Sequence, residues 1–320
     1  EVEPFKDIYD KGNMAIIHGV GFENSPRSHF RAMDIWHTCE PDSIGVDGWV
    51  AKVIRDLDPV GENVLKGVNF GQGLPRAMAM RGVPVTSVNN LATYGVFSSV
   101  RSLTSNEERT QLLDSFARMY APAIGTGPTM EYLGQTGLDA LKGADIIKLA
   151  PERYSSTIEY ANNTIARSLK DVAQVHLADL GTQVFYTSHG PFDTHFDQSG
   201  SHAKLWIEIS EALDSFFADL KEHNASENVV VMLFSEFGRR VKDNGTGTDH
   251  GAAGAAFVIG DRIKGGMFGQ YPSLKPEDLN QGDLTPNYDF RGLYSSLVDQ
   301  WLGLDPVPIV GGKFEQMSFL

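Results

Sequence analysis

Carboxylate and imidazole side chains are concentrated in two loops that follow predicted strands. The first strand is predicted at 182–187, and the second, which is apolar and rich in β-branched residues, at 229–234. The loops behind these strands contain Asp193, His195, Glu236, Asp249 and His250. Loops that leave the carboxyl ends of parallel strands converge at one sheet edge, so these side chains are expected to lie close together. Neutral imidazole and carboxylate oxygen bind zinc or manganese well, which predicts a divalent metal site.

Each of these side chains also has an ordinary structural explanation. Asp193 could cap a turn, and His195 could hydrogen-bond to the backbone. Glu236 follows a buried strand, where an unpaired carboxylate is costly, so it needs either a metal or a basic partner such as Arg239. Asp249 is expected to support a ligand or a turn. The predicted ligands are therefore Asp193, His195, Glu236 and His250, with zinc or manganese as the ion and calcium as a third candidate.

Ser28 stands at the predicted start of a helix that carries Phe30, Met33 and Trp36 at a spacing of three residues. A serine at this position directs its hydroxyl into the positive end of the helix dipole, where phosphate and sulfate oxygens also bind. A nearby metal would lower the pKa of the Ser28 hydroxyl and make it a nucleophile. The same position also suits a simple N-cap, so both roles are open on the sequence alone.

Predicted strands and helices alternate along the chain. Strands are predicted at 14–20, 64–70, 83–88, 182–187, 229–234 and 255–259, and helices at 158–172, 205–220 and 289–304, the last capped by Asp289. Two further helices are predicted within 106–142, separated by the Pro- and Gly-containing segment 122–128. This alternation is typical of an α/β fold with a parallel sheet and helices on both faces.

Composition excludes several classes of protein. The chain has 320 residues and a formal net charge of -14, and it has no Lys/Arg-rich block, which disfavours nucleic acid as a partner. The single cysteine, Cys39, excludes an internal disulfide framework and a multi-cysteine zinc site. No run approaches the roughly 20 apolar residues of a membrane-spanning helix. The composition does not indicate an oligomeric state.

Several segments resemble the bacterial domain-of-unknown-function family 1501, and they occur in order over nearly the whole chain. They include MAIIHGVG at 14–21, RSHF at 27–30, FDTH at 192–195, SEFGR at 235–239 and TDHG at 248–251. That family looks like a branch of the alkaline phosphatase and sulfatase superfamily of metal-dependent hydrolases. The resemblance implies a three-layer α/β/α fold with a mostly parallel central sheet. It also implies one alkaline phosphatase-like domain over 1–320 that begins after the usual first strand, with a helical insertion at about 106–151.

The resemblance also implies roles for individual residues. Ser28 falls in the nucleophile region, and Arg27, Arg31 or Arg239 could hold the transferred anion, with Arg27 and Arg239 as the preferred candidates. Phe237 stands where the superfamily usually has a ligating histidine, which implies a second metal site with few ligands. The implied metal ligands are Asp193, His195, Glu236 and His250.

The implied activity is metal-dependent hydrolysis of a phosphate or sulfate ester, with a small-molecule or glycan anionic ester as substrate. Family members that carry twin-arginine signals imply an exported or periplasmic protein. The alternative is a non-catalytic protein that keeps the hydrolase fold and binds an anion or a glycan. Phe237 and the missing first strand both favour this alternative.

Overall fold

The computed structural model describes residues 2–94, 106–120 and 126–320. Their contacts divide the chain into two compact units. The first unit comprises the described residues of Glu1–Trp49, Thr157–Arg167 and His189–Leu320, and the second those of Val50–Ser156 and Ser168–Ser188. The expectation of a single alkaline phosphatase-like domain over 1–320 stays a prediction.

The helices are α1 (Glu3–Asp10), α2 (His29–Thr38), α3 (Trp49–Leu57), α4 (Asn106–Tyr120), α5 (Pro128–Ile147), α6 (Leu149–Arg153), α7 (Thr164–Leu177), α8 (Gln198–Glu222), α9 (Phe290–Gln300) and α10 (Val307–Val310). The strands are β1 (Met14–Gly21), β2 (Gly67–Phe70), β3 (Thr86–Val88), β4 (Val184–Thr187), β5 (Val231–Leu233), β6 (Arg239–Asp243), β7 (Thr248–His250), β8 (Gly254–Ile259), β9 (Gly266–Phe268) and β10 (Tyr288–Asp289). None of the described helices combines the length and the apolar character needed to cross a membrane.

The largest sheet belongs to the first unit and is mixed. Its strand order is β10-β1-β8-β5, and β9 also pairs with β1. Strand β8 runs antiparallel to both β1 and β5, whereas β9 and β10 are parallel to β1. The prediction of a mostly parallel central sheet is therefore wrong. Parallel neighbours need a long crossover, usually a helix, but β5 and β8 are joined by the β6–β7 hairpin, and β8 returns antiparallel beside β5.

Two smaller sheets complete the mixed α/β architecture. In the second unit, β2 lies between β3 and β4 and is parallel to both. In the first unit, β6 and β7 form an antiparallel hairpin in which Arg239 pairs with His250. The hairpin was not expected from the sequence, because its strands are short and polar.

Most of the elements predicted from periodicity are present, with shifted ends. The helix expected at 158–172 begins at Thr164, since the side chain of Asn163 accepts a hydrogen bond from the Ala166 amide and caps the first turn there. Asp289 caps α9 as expected, because its side chain accepts from the Arg291 amide. Helices α4 and α5 confirm the two helices expected within 106–142. Of the segment 122–128 between them, residues 122–125 lie outside the described residues.

An aromatic core fixes α2 within the first unit. The Trp36 ring stacks on Phe290 at a centroid distance of 4.5 Å and on Phe234 at 5.4 Å. The Tyr294 hydroxyl donates a 3.0 Å hydrogen bond to the Trp36 carbonyl oxygen, and the Tyr294 ring stacks on Trp49 at 4.0 Å.

The aromatic core joins three segments, because Trp36 lies in α2, Phe234 follows β5 and Phe290 begins α9. It thereby fixes the positions of His29, at the start of α2, and Glu236, two residues beyond Phe234.

Replacing Trp36 by alanine should lower the free energy of unfolding by about 3–5 kcal/mol, since a large buried ring is lost and a cavity remains. Phe30→Ala is the matched control on the same helix, because the Phe30 side chain is 91% exposed, and should change stability by less than about 0.5 kcal/mol. Denaturant unfolding followed by circular dichroism measures both variants. Equal losses in the two would contradict the assignment of this core.

Candidate metal centre

Four segments of the first unit meet at one cluster of side chains. They are the start of α2, the loop before α8, the turn after β5 and the strand β7. Three of these segments supply the members of what is here called the histidine cluster, namely His29, Asp193, His195 and His250, and the turn after β5 supplies Glu236, which contacts His29. Three of the cluster's four members were predicted as ligands from the sequence. His29 was not among the predicted ligands.

Asp193 lies at the centre of the histidine cluster. Its Oδ1 is 3.0 Å from Nε2 of His195 and 2.9 Å from Nε2 of His250, and its Oδ2 is 3.1 Å from Nε2 of His29. Burial opposes ionisation of Asp193, but hydrogen bonds from Arg239, and from the protonated forms of His250 and His29, outweigh it and hold the pKa of this carboxyl well below its usual range. Asp193 is therefore an ionised carboxylate surrounded by three imidazole nitrogens.

The other ring nitrogen of each histidine points outward to an oxygen. Nδ1 of His250 lies 2.7 Å from the Arg27 carbonyl oxygen, Nδ1 of His29 lies 2.7 Å from Glu236 Oε1, and Nδ1 of His195 lies 3.1 Å from Asp249 Oδ1. Carbonyl and ionised carboxylate oxygens only accept hydrogen bonds, so each Nδ1 carries the hydrogen. In the neutral rings, Nε2 of all three histidines therefore presents a lone pair to the cluster.

A cation bound among the inward-facing nitrogen atoms would stabilise this arrangement, which the side chains alone do not satisfy. Nε2 of His195 lies 2.8 Å from Nε2 of His250, so two lone pairs face each other. Nε2 of His29 is buried and, among the described residues, has no hydrogen-bond partner, because its approach to Asp193 lacks hydrogen-bond geometry. A metal accepts electron density from all of these atoms, and outward hydrogen bonds from Nδ1 are the usual support of metal-binding histidines.

The spacing of the atoms is also suitable for an ion. The ligand atoms of His29, Asp193 and His250 all lie within 4.8 Å of one another. Zinc–nitrogen bonds of about 2.0–2.1 Å set neighbouring atoms of a tetrahedral site about 3.3 Å apart. The separations between Asp193 and the three Nε2 atoms, 2.9–3.1 Å, need only a small expansion to reach that value.

The pKa of His29 responds to two opposing effects. Burial alone would lower it, but the hydrogen bond to Glu236 and the neighbouring Asp193 carboxylate outweigh burial and raise the pKa above its ordinary value. A proton on Nε2 of His29 therefore competes with any metal that binds there. Metal binding at the histidine cluster is accordingly expected to weaken as the pH falls.

Glu236 and Arg239 support the histidine cluster from outside. The Glu236 side chain is 12% exposed, and its Oε1 holds His29 while its Oε2 accepts a 2.8 Å hydrogen bond from the Ser235 hydroxyl.

Arg239 donates hydrogen bonds to the Asp193 carboxylate at 2.8 Å and to the carbonyl oxygens of Thr248 and Phe192, at 2.9 Å and 2.8 Å. The structure thus places Glu236 on His29 and uses the guanidinium of Arg239 to hold the Asp193 loop. The predicted ligand role of Glu236 and the predicted anion-binding role of Arg239 stay predictions.

Close packing around the cluster leaves little space for larger residues. The buried ring of Phe237 lies 5.0 Å from the His29 ring and 4.8 Å from the His250 ring, so Phe237 forms a wall for both histidines. A Cβ atom at Gly247 would lie 2.6 Å from the carbonyl carbon of His195. The β6–β7 hairpin can approach the His195 loop this closely because residue 247 has no side chain.

Ser28 lies between two residues that reach the histidine cluster. Its neighbour Arg27 accepts from His250 through the main chain, and its other neighbour, His29, belongs to the cluster. Ser28 occupies the N-cap position of α2, but its side chain makes no capping hydrogen bond, and the residue is exposed. The hydroxyl is thus not engaged in capping, which removes the main structural explanation for this serine.

The sequence contained a signal for His29. It directly follows Ser28 at the predicted start of a helix, after the loop that leaves a predicted strand. That loop leaves β1 and ends at His29, which contacts Glu236 in the turn after β5. A histidine in the first turn of a helix at such an edge is a candidate ligand for the same geometric reason as Asp193.

Comparison with known proteins gives one match. The profile of a family described as a protein of unknown function (DUF1501) matches residues 145–305, just over half of the chain. The matched region includes Asp193, His195 and His250, whereas Ser28 and His29 lie outside it. No curated protein and no solved structure matches the chain.

Arg239→Ala should lower the free energy of unfolding by about 2–4 kcal/mol, because three carbonyl or carboxylate oxygens lose their charged donor. Arg262→Ala is the control. Arg262 is exposed, and its guanidinium lies 5.6 Å from the centroid of the Trp301 ring, so the free energy of unfolding should change by less than about 1 kcal/mol. Urea unfolding of both variants without added metal checks the prediction. A loss for Arg239→Ala no larger than that of the control would show that the Asp193 loop does not depend on Arg239.

Proposed function

The chain belongs to the DUF1501 family, and we propose that it is a metal-dependent hydrolase of phosphate or sulfate esters. The observation that carries this proposal is the convergence of three imidazole Nε2 atoms on the ionised Asp193 carboxylate. Each Nδ1 is occupied by an outward hydrogen bond, so the inward nitrogens are free to bind a cation. An exposed serine lies directly beside this cluster.

His29, Asp193, His195 and His250 would hold the metal. Glu236, Asp249 and the Arg27 carbonyl oxygen keep the three rings in place from outside. A ligand set of imidazole and carboxylate suits zinc or manganese, and calcium, which prefers oxygen ligands, is the less suitable ion. A divalent ion at this position would polarise an ester oxygen and stabilise the negative charge that develops on it.

Ser28 is the proposed nucleophile. Its Oγ forms a bond to the phosphorus or sulfur atom as the bond to the ester oxygen breaks, and the alcohol leaves with the proton that the serine loses. Water then cleaves the seryl ester, which regenerates Ser28 and releases inorganic phosphate or sulfate. Arg27, next to Ser28, is positioned to neutralise charge on the transferred group.

We propose an alkaline phosphatase-like α/β/α fold, because a serine at the start of the helix after β1 is followed along the chain by two loops with acidic and histidine residues. An exported or periplasmic protein is proposed from the family resemblance alone. The helical segment at about 106–151 would then be an insertion, and the substrate a small-molecule or glycan anionic ester.

A second candidate is a non-catalytic protein that binds an anion or a glycan. The observation in its favour is Phe237, whose ring packs against His29 and His250 at a position where a second metal would need a ligand. Such a protein would bind one ion and an anion at the histidine cluster but would not turn over an ester. Of the following two predictions, the first tests the metal centre that both candidates share, and the second separates this candidate from the hydrolase.

Metal binding is tested first. Chelator-treated protein titrated with zinc or manganese in a calorimeter should bind at least one equivalent per chain. His250→Ala should abolish this binding, and Glu236→Ala should weaken it by about 10–100-fold, because His29 loses its outward acceptor. Glu277→Gln, an exposed site in the same unit, is the control and should bind as the wild type does. Absence of binding, or equal affinity in all variants, would refute the metal centre.

Turnover is tested on aryl phosphates and aryl sulfates with the metal-loaded protein. Ser28→Ala should reduce kcat by at least about 100-fold because the nucleophile is lost, and should leave metal affinity unchanged. Mass spectrometry of rapidly quenched wild type should find the transferred group on the peptide that contains Ser28. Metal binding without turnover would favour the non-catalytic candidate, and full turnover by Ser28→Ala would exclude this serine as nucleophile.

A further inference from the structure

A buried carboxylate joins two arginines beside the proposed nucleophile. Oδ2 of Asp283 lies 2.9 Å from Nε and 2.8 Å from Nη2 of Arg27, and Oδ1 of Asp283 lies 3.1 Å from Nε of Arg240. The Asp283 side chain is 7% exposed, so it is a fixed support for both guanidinium groups. Arg240 had no role in the sequence analysis.

The two arginines carry more charge than Asp283 neutralises. Two guanidinium groups share one carboxylate, which leaves a surplus of one positive charge in a chain whose formal net charge is -14. Their side chains are 41% and 31% exposed, so both remain open to solvent and to a ligand. Each guanidinium has five N–H donors, and in the described residues the Nη1 groups of Arg27 and Arg240 make no hydrogen bond.

Both arginines lie next to the histidine cluster. The main chain of Arg27 holds His250 and continues directly into Ser28. Arg240 directly follows Arg239, which pairs with His250 in the β6–β7 hairpin, and it shares the Asp283 carboxylate with Arg27. Arg239, by contrast, already donates to three protein oxygens.

We propose that Arg27 and Arg240, held side by side by Asp283, form a binding site for the terminal tetrahedral oxyanion of a phosphate or sulfate monoester. This inference rests on the proposed function and specifies its substrate class. A terminal oxyanion group has three non-bridging oxygens, so two can accept from the guanidinium groups while the third faces the histidine cluster. A diester has two such oxygens and a second bulky group, so it is a poorer ligand for the same pair.

The expected effect of losing Arg240 is large and local. Arg240→Gln removes one of the two guanidinium groups and its charge, and should weaken the binding of inorganic phosphate by about 10–100-fold. Arg240→Lys keeps the charge near Asp283 but not the planar fork of donors, so it should recover only part of the affinity. It also serves as a second variant if Arg240→Gln folds poorly. Arg262→Gln, at an exposed site beside Trp301, is the matched control and should bind phosphate as the wild type does.

The experiment is calorimetric titration of the wild type and these variants with inorganic phosphate and inorganic sulfate, on metal-loaded and chelator-treated protein. The anion that binds more tightly distinguishes a phosphate ester from a sulfate ester as substrate. Competition with phenyl phosphate and diphenyl phosphate should show a monoester preference in the wild type that decreases in Arg240→Gln.

The outcomes separate this inference from the proposed function. Wild-type affinity for the anion in Arg240→Gln, no anion binding in any form of the wild type, or a diester preference would overturn the arginine site. If no metal binds and Arg240→Gln still loses phosphate, the hydrolase proposal fails while the arginine site stands. If metal binds normally in Arg240→Gln and phosphate does not, the metal centre and the arginine site are both supported.

Discussion

The interaction on which the rest of the structure depends is the mutual orientation of three imidazole rings around Asp193. Each ring is fixed by an acceptor outside the cluster, namely the Arg27 carbonyl oxygen, Glu236 or Asp249. These acceptors determine which nitrogen carries the hydrogen, and therefore which lone pairs face inward. The cluster is consequently electron-rich at its centre, and a cation removes the repulsion at low cost in reorganisation because the rings are already in place.

The surrounding fold serves to hold these acceptors at fixed distances. Trp36 anchors α2, and with it His29, against Phe234 and Phe290. The β6–β7 hairpin pairs Arg239 with His250, so one strand pair presents a histidine of the cluster and the arginine that orients Asp193. The close approach at Gly247 keeps the hairpin against the His195 loop. The site is thus built from rigid packing and short hydrogen bonds and does not depend on a single long loop.

Much of the site could be predicted from the sequence, because β1 and β5, both antiparallel to β8, run in the same direction and the segments that follow them leave one edge of the sheet. Asp193, His195 and His250 were predicted from loops that follow strands and do lie together. His29 was not predicted as a site residue, and neither was its contact with Glu236. The sheet was predicted with the wrong strand directions because the short polar hairpin between β5 and β8 has no clear hydrophobic period, and without it the connection is expected to be a helical crossover.

The hydrogen bond between His250 and the Arg27 carbonyl oxygen joins residues 223 positions apart in the chain. When the chain has emerged from the ribosome only as far as residue 200, it includes Ser28, His29 and Asp193 but not β7, the strand that completes the cluster. Such contacts of high sequence separation form late, after the intervening chain has collapsed. The histidine cluster is therefore incomplete until the β6–β7 hairpin has been synthesised, and any affinity for metal ions that it confers arises only after that point.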